Sequence, residues 1–157
     1  HGILVTNVGG TGGTHTTLFS PKTYREMLFP YHKKLGDFLH ENDIFFFMHS
    51  CGFIEPLLSD LIEAGLDVIQ AIQANTGMSV VDLKPKYGDK LTFFGNISEQ
   101  NFHKGKEAIE AELREKIPVA MEGGGYIYHS DHSIPPEVTL ETYLHAMKVL
   151  DEIGTYK

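Results

Sequence analysis

The chain has 157 residues, 41% of them hydrophobic, with 13 Lys plus Arg against 21 Asp plus Glu for a net charge of −8. That size buries one ordinary core and predicts a single domain over residues 1–157, while the scattered acidic surplus excludes a phosphate backbone or an anionic membrane as partner. No apolar run approaches the ~20 residues that span a bilayer and no basic-then-apolar leader opens the sequence, so a cytoplasmic location is expected.

Ile3-Leu4-Val5 reads as a short buried strand leading into a loop, residues 9–17, with four glycines. Glycines let a backbone approach a ligand, yet neither a P-loop nor a dinucleotide fingerprint is present; ligand-lining loop and plain connection both remain open. Ser20-Pro21 is a helix start, with Ser at the N-cap and Pro at the first turn. Tyr24, Leu28, Tyr31, Leu35 and Leu39 recur at steps of three and four, which predicts one helix to about Glu41-Asn42, kinked at Pro30.

Ile44-Phe45-Phe46-Phe47-Met48 is a short apolar run expected as a fully buried strand. Side chains alternate along it, so His49 and Cys51 point to one side and Ser50 to the other. An imidazole and the chain's one thiol then emerge together at the carboxyl end of a strand, where parallel α/β proteins place their chemistry. A lone cysteine forms no internal disulfide; Cys51 is a buried structural thiol, a reactive one or a metal ligand.

Leu57, Leu58, Leu61 and Ile62 predict a helix stopped by Gly65, and residues 67–72 a third strand with Gln73, Asn75, Thr76 and Gly77 at its end. A short helix near 79–84 and a turn precede the fourth strand, 91–94, which ends in Gly95-Asn96. Ile109, Leu113 and Ile117 place a helix over about 104–121, broken by Gly123-Gly124-Gly125 before a fifth strand, 126–128, that delivers His129-Ser130-Asp131-His132. Thr139 caps a last helix with the stripe Leu140, Tyr143, Leu144, Met147 and Leu150. This strict alternation is that of a parallel sheet. Either a doubly wound sheet, complete at about this length, or part of an eight-stranded barrel that typically needs ~250 residues fits the count.

Ser20-Pro21-x-x-Tyr24 with residues 30–35, Met48-His49-Ser50-Cys51-Gly52, residues 61–67, Gln73-Ala74-Asn75-Thr76-Gly77-Met78, and 123–127 before Ile134-Pro135-Pro136 together resemble the uroporphyrinogen decarboxylase superfamily. The match runs over nearly the whole chain, and its His-x-Cys-Gly element is similar to the zinc site of the cobalamin-dependent methyltransferase branch. The resemblance implies an α/β fold of parallel β/α units, the carboxyl-terminal five-stranded part of a TIM (β/α)8 barrel. It also implies zinc on His49 and Cys51, with a third ligand, a Cys in the family, from the loop after the last strand. That loop holds no Cys here, and His132 falls in its place.

Zinc takes thiolate and imidazole, and a catalytic site keeps three protein ligands and one open position. His49, Cys51 and His132 would supply them, with Asp131 or His129 orienting a ligand or taking a fourth position, and Gln73, Asn75, Asn96 and Asp131 binding a small-molecule substrate at the mouth. The expected reaction moves a methyl group between a corrinoid, free or on a partner protein, and a thiol. The alternatives are a uroporphyrinogen decarboxylase-like lyase acting on a porphyrinogen, poorly served by only two arginines, Arg25 and Arg114, and a catalytically silent half-barrel module. Five units leave two open sheet edges and an uncovered inner face, so a homo-oligomer or a missing amino-terminal segment is expected to cover them.

Overall fold

The computed structural model describes residues 3–7, as backbone, and 16–156; the glycine-rich loop falls outside them, apart from Thr16 and Thr17. Five strands, β1 (Ile3–Asn7), β2 (Phe45–Ser50), β3 (Val68–Ala71), β4 (Thr92–Gly95) and β5 (Tyr126–Ile127), pair in the order 1-2-3-4-5. Every pairing is parallel. A doubly wound sheet must reverse its strand order at a switch point. This one never does: each strand pairs beside the one before it on the same side, which is the winding of a β/α barrel.

The helices are α1 (Pro21–Met27), α2 (Phe29–Glu41), α3 (Glu55–Glu63), α4 (Val80–Tyr87), α5 (Glu99–Lys104), α6 (Lys106–Met121) and α7 (Leu140–Ile153). The Ser20 hydroxyl accepts from the Thr23 amide and the Thr139 hydroxyl from the Thr142 amide, as the cap signals foretell. The single kinked helix expected over 21–41 is instead two. Pro30 has no N–H to offer the turn before it, so the chain restarts at Phe29 with Pro30 in the first turn of α2. Likewise Gly105, at φ +106, separates α5 from α6.

Alternation sorts the sheet into two faces. Phe46, Met48, Ile69 and Phe93 are fully buried beneath the helices with Leu57, Leu58, Leu61, Ile109 and Leu113. Phe47, Val68, Thr92 and Phe94 look the other way and are only half-buried, and Phe45 and Ile127 on that face are 54% and 44% exposed. In a closed barrel this second face is the interior. Here it borders a cavity of about 550 Å³ lined by Phe45, Phe47, Val68, Leu91, Phe94 and Ile127.

α2 meets α3 closely because Gly36 has no side chain: a Cβ there would stand 2.1 Å from the Ala64 carbonyl oxygen. The stripe expected on α7 is turned by about one position. Thr142, Ala146 and Val149 face inward, whereas Leu140 and Leu144 are 71% and 55% exposed.

Candidate functional site

β2 ends as its alternation requires. Ser50 is buried toward the helices, and His49 and Cys51 share the opposite face with Cys51 Sγ 3.3 Å from His49 Nε2. The loop after β5 is carried forward by a parallel bridge between Ile97 and Ser130, and it brings His132 Nε2 to 3.8 Å from the same sulfur. The thiol therefore sits between two imidazoles, one of them 81 residues away in sequence.

Each ring is held from behind. His49 Nδ1 is hydrogen-bonded to Gln70 Oε1 on the neighbouring strand, at the register position paired with His49. An amide oxygen only accepts, so the proton lies on Nδ1 and the lone pair on Nε2, facing the sulfur. Gln70 carries no motif that the sequence reading could catch; its signal is cross-strand register alone. His132 Nδ1 points away from the sulfur toward Asp131 Oδ1 at 3.6 Å and Glu99 Oε2 at 3.9 Å.

Burial pushes the Cys51 thiol above its ordinary range, and the charge of Asp131 adds to the effect. Burial and then Asp131 likewise raise the Glu99 carboxyl, with His132 opposing. Both directions favour the neutral forms of Cys51 and Glu99, and a cation beside them would oppose that preference.

The residues expected to bind substrate are placed differently. Asn96 is fully buried at φ +70; its Oδ1 accepts from the Val80 amide and its Nδ2 donates to the Ile72 and Met78 carbonyls. Its amide is thus consumed in bracing the strained end of β3, where Ala71 and Ile72 both adopt positive φ, 87 and 49. Asp131 is also a brace: its Oδ2 accepts from the Ala74 amide and its Oδ1 from the Glu99 amide, each at 3.0 Å. Gln73 lends its Oε1 to the Gly52 amide and so fixes the turn after Cys51. Asn75 is exposed and lines a separate cleft of about 450 Å³ with Asn101, Lys104, Glu112 and Lys116. A polar side chain at a strand end reads the same in sequence whether it serves a ligand or the backbone. His129 bonds its own loop through the Ser130 carbonyl and packs edge-on against Phe94 at 5.1 Å, on the inner face.

The donor types, one thiol and two imidazoles, are those zinc takes. Bonds of about 2.3 Å to sulfur and 2.0 Å to nitrogen in tetrahedral geometry put neighbouring donors roughly 3.6 Å apart. The sulfur-to-nitrogen separations here are 3.3 and 3.8 Å, but the donor atoms of His49, Cys51 and His132 do not all lie within 4.8 Å of one another, so the two imidazoles must draw together to share one ion.

A singly wound parallel β/α sheet, with its reactive side chains gathered at the carboxyl ends of the strands, defines a protein of the β/α-barrel class. The profile of the family "Uroporphyrinogen decarboxylase (URO-D)" matches residues 6–153. The chain belongs to that family. It is similar, at 24% identity over 143 residues, to a uroporphyrinogen decarboxylase of Hydrogenovibrio crunogenus, covering 87% of this chain and 39% of that protein. Its fold matches that of a methyltransferase from Methanosarcina mazei with a TM-score of 0.66 and 20% identity, over 96% of this chain and 42% of the other. The chain thus spans about two fifths of the length of these relatives. No helix among the described residues is long and apolar enough to cross a membrane.

Proposed function

We propose that the chain carries the zinc-binding, thiol-activating part of a methyltransferase that moves a methyl group between a corrinoid and a thiol. One observation carries this reading: Cys51 Sγ lies between His49 Nε2 and His132 Nε2 at 3.3 and 3.8 Å. The fold shared with the Methanosarcina mazei methyltransferase agrees with it. When bound, zinc supplies a Lewis acid that keeps an incoming thiol deprotonated, and hence nucleophilic, at neutral pH. The chain does the rest. Gln70 fixes the tautomer of His49, Gln73 fixes the turn that presents Cys51, and Asp131 ties the His132 loop to the turns beginning at Ala74 and Glu99. On the inner face beside the site, Phe47 and Phe94 pack edge-to-face at 5.5 Å.

The lyase reading has the Hydrogenovibrio relative in its favour. Against it, a carboxylate-rich porphyrinogen calls for arginine. Arg25 is engaged by Asp60 and Glu63, and Arg114 by Glu110 and Glu152, all on helices outside the sheet. Metal analysis of the purified chain separates the readings: about one zinc per chain supports the methyltransferase, whereas a zinc-free chain overturns it in favour of the lyase or a silent module.

A further inference from the structure

The two imidazoles are not supported alike. His49 Nδ1 has its acceptor in Gln70. His132 Nδ1 is shut off from solvent with no hydrogen-bond partner, and so is Glu99 Oε2, 3.9 Å away. Both atoms bear the cost of burial without the bond that would offset it. Asp131 Oδ1 is nearer, at 3.6 Å, but the Asp131 carboxyl is pinned by a backbone amide on each oxygen and cannot swing toward the ring, whereas the Glu99 carboxyl has an oxygen with no partner. The ligand atoms of Glu99, Asp131 and His132 all lie within 4.8 Å of one another.

We propose that Glu99 is the positioning residue of His132: its Oε2 accepts the Nδ1–H and turns the bare Nε2 toward Cys51. The Glu99 backbone is already fixed, because its amide donates to Asp131 Oδ1 and Ser98 caps the helix it opens. Only side-chain torsions remain to move, and closing the gap to a hydrogen bond of ~2.8 Å takes a shift of about 1 Å. Two histidines thus receive the same tautomer by different means, an amide for His49 and a carboxylate for His132. The effect on a metal rests on the function proposed above; the effect on the tautomer does not.

The test uses the metal-free, nitrogen-15-labelled chain at neutral pH, with long-range proton–nitrogen correlation of the imidazoles. His132 in the wild type is expected to carry its proton on Nδ1, the less favoured tautomer of free histidine. Glu99→Ala is expected to move the proton to Nε2, and Glu99→Gln, whose amide oxygen still accepts, to keep it on Nδ1. A wild-type His132 protonated on Nε2, or a Glu99→Gln spectrum that has lost the Nδ1 proton, overturns the proposal. These two spectra decide it even where Glu99→Ala does not fold. Zinc competition against a chromophoric chelator adds a second readout, with affinity falling about 10- to 100-fold in Glu99→Ala and recovering in Glu99→Gln. Complete loss of zinc in Glu99→Ala, equal to that in Cys51→Ala, would make Glu99 a ligand and overturn the positioning role. A wild-type chain that takes up no zinc sinks the methyltransferase reading and leaves the tautomer result standing.

Discussion

His49 and Gln70 face each other across the β2–β3 pair, and the imidazole Nδ1 of one is hydrogen-bonded to the amide oxygen of the other. Gln70→Leu keeps the volume of the strand residue and removes the acceptor. Zinc affinity is expected to fall about 10- to 100-fold with little change in thermal stability, while Gln70→Glu should retain the metal. A Gln70→Leu variant that binds zinc as tightly as wild type would show that the ring needs no support.

Cys51 contributes the softest donor and touches both rings. Cys51→Ala is expected to lose the metal almost entirely, and His132→Cys to keep it, because thiolate suits zinc at least as well as imidazole. Equal zinc content in Cys51→Ala and wild type would refute the assignment. Thiol and imidazole must shed protons to bind, so affinity in all zinc-binding forms should weaken as pH falls.

The core has its own titration. His32 Nδ1 meets the Tyr24 hydroxyl at 2.9 Å, and burial holds the imidazole below its ordinary value. On acidification the unfolded chain takes this proton first, near pH 6.5, so His32 adds stability above that pH and withdraws it as pH falls toward the folded value. Urea midpoints at pH 7.5 and 5.5 should differ more in wild type than in His32→Gln. Identical differences would mean that His32 does not contribute.

Asn96 offers a test of what is brace and what is site. Asn96→Ala removes three hydrogen bonds from a fully buried position and should cost at least ~2 kcal/mol in chemical denaturation. A variant as stable as wild type with weakened substrate binding would restore the role expected from sequence.

The inner face makes a further prediction. Phe45 and Ile127 stand 54% and 44% exposed on a sheet face that carries no opposing layer among the described residues. Association with a second copy, or with an amino-terminal barrel segment, is expected to cover it. Sedimentation of the chain alone should show mass rising with concentration, and the pair Phe45→Glu and Ile127→Glu should suppress the rise. A monodisperse monomer at micromolar concentration contradicts this.

Features set by neighbours in sequence were legible: the caps at Ser20 and Thr139, the stop at Gly65, and the shared face of His49 and Cys51 that follows from a period of two. His132 was legible through the family resemblance and its place in the loop. The partners of the two rings were not, since Gln70 reaches His49 through strand register and Glu99 approaches His132 through a loop crossing. The bracing bonds of Asn96 and Asp131 were not legible for a related reason: their polar groups answer backbone amides and carbonyls that only the folded chain brings near. On α7, periodicity found the helix but not its rotation, because Leu140 and Leu144 are as apolar as the residues that pack.

The site spans strands that are not neighbours. With β3 and β4 between them, β2 and β5 would lie about 14 Å apart in a flat sheet at ~4.8 Å per strand. Cys51 and His132 nevertheless come within 3.8 Å. The reach of the Cys51 and His132 side chains spans part of the missing ten ångströms, and the roll of the sheet with the loop after β5, bridged to Ile97, the rest; the two strands between them end in the positive-φ corner of Ala71, Ile72, Gly95 and Asn96. That corner supplies no donor atom, yet it lies between the strands that do, like the hinge of a caliper, so a substitution that relaxes it is expected to change the gap between Cys51 and His132 without altering either residue.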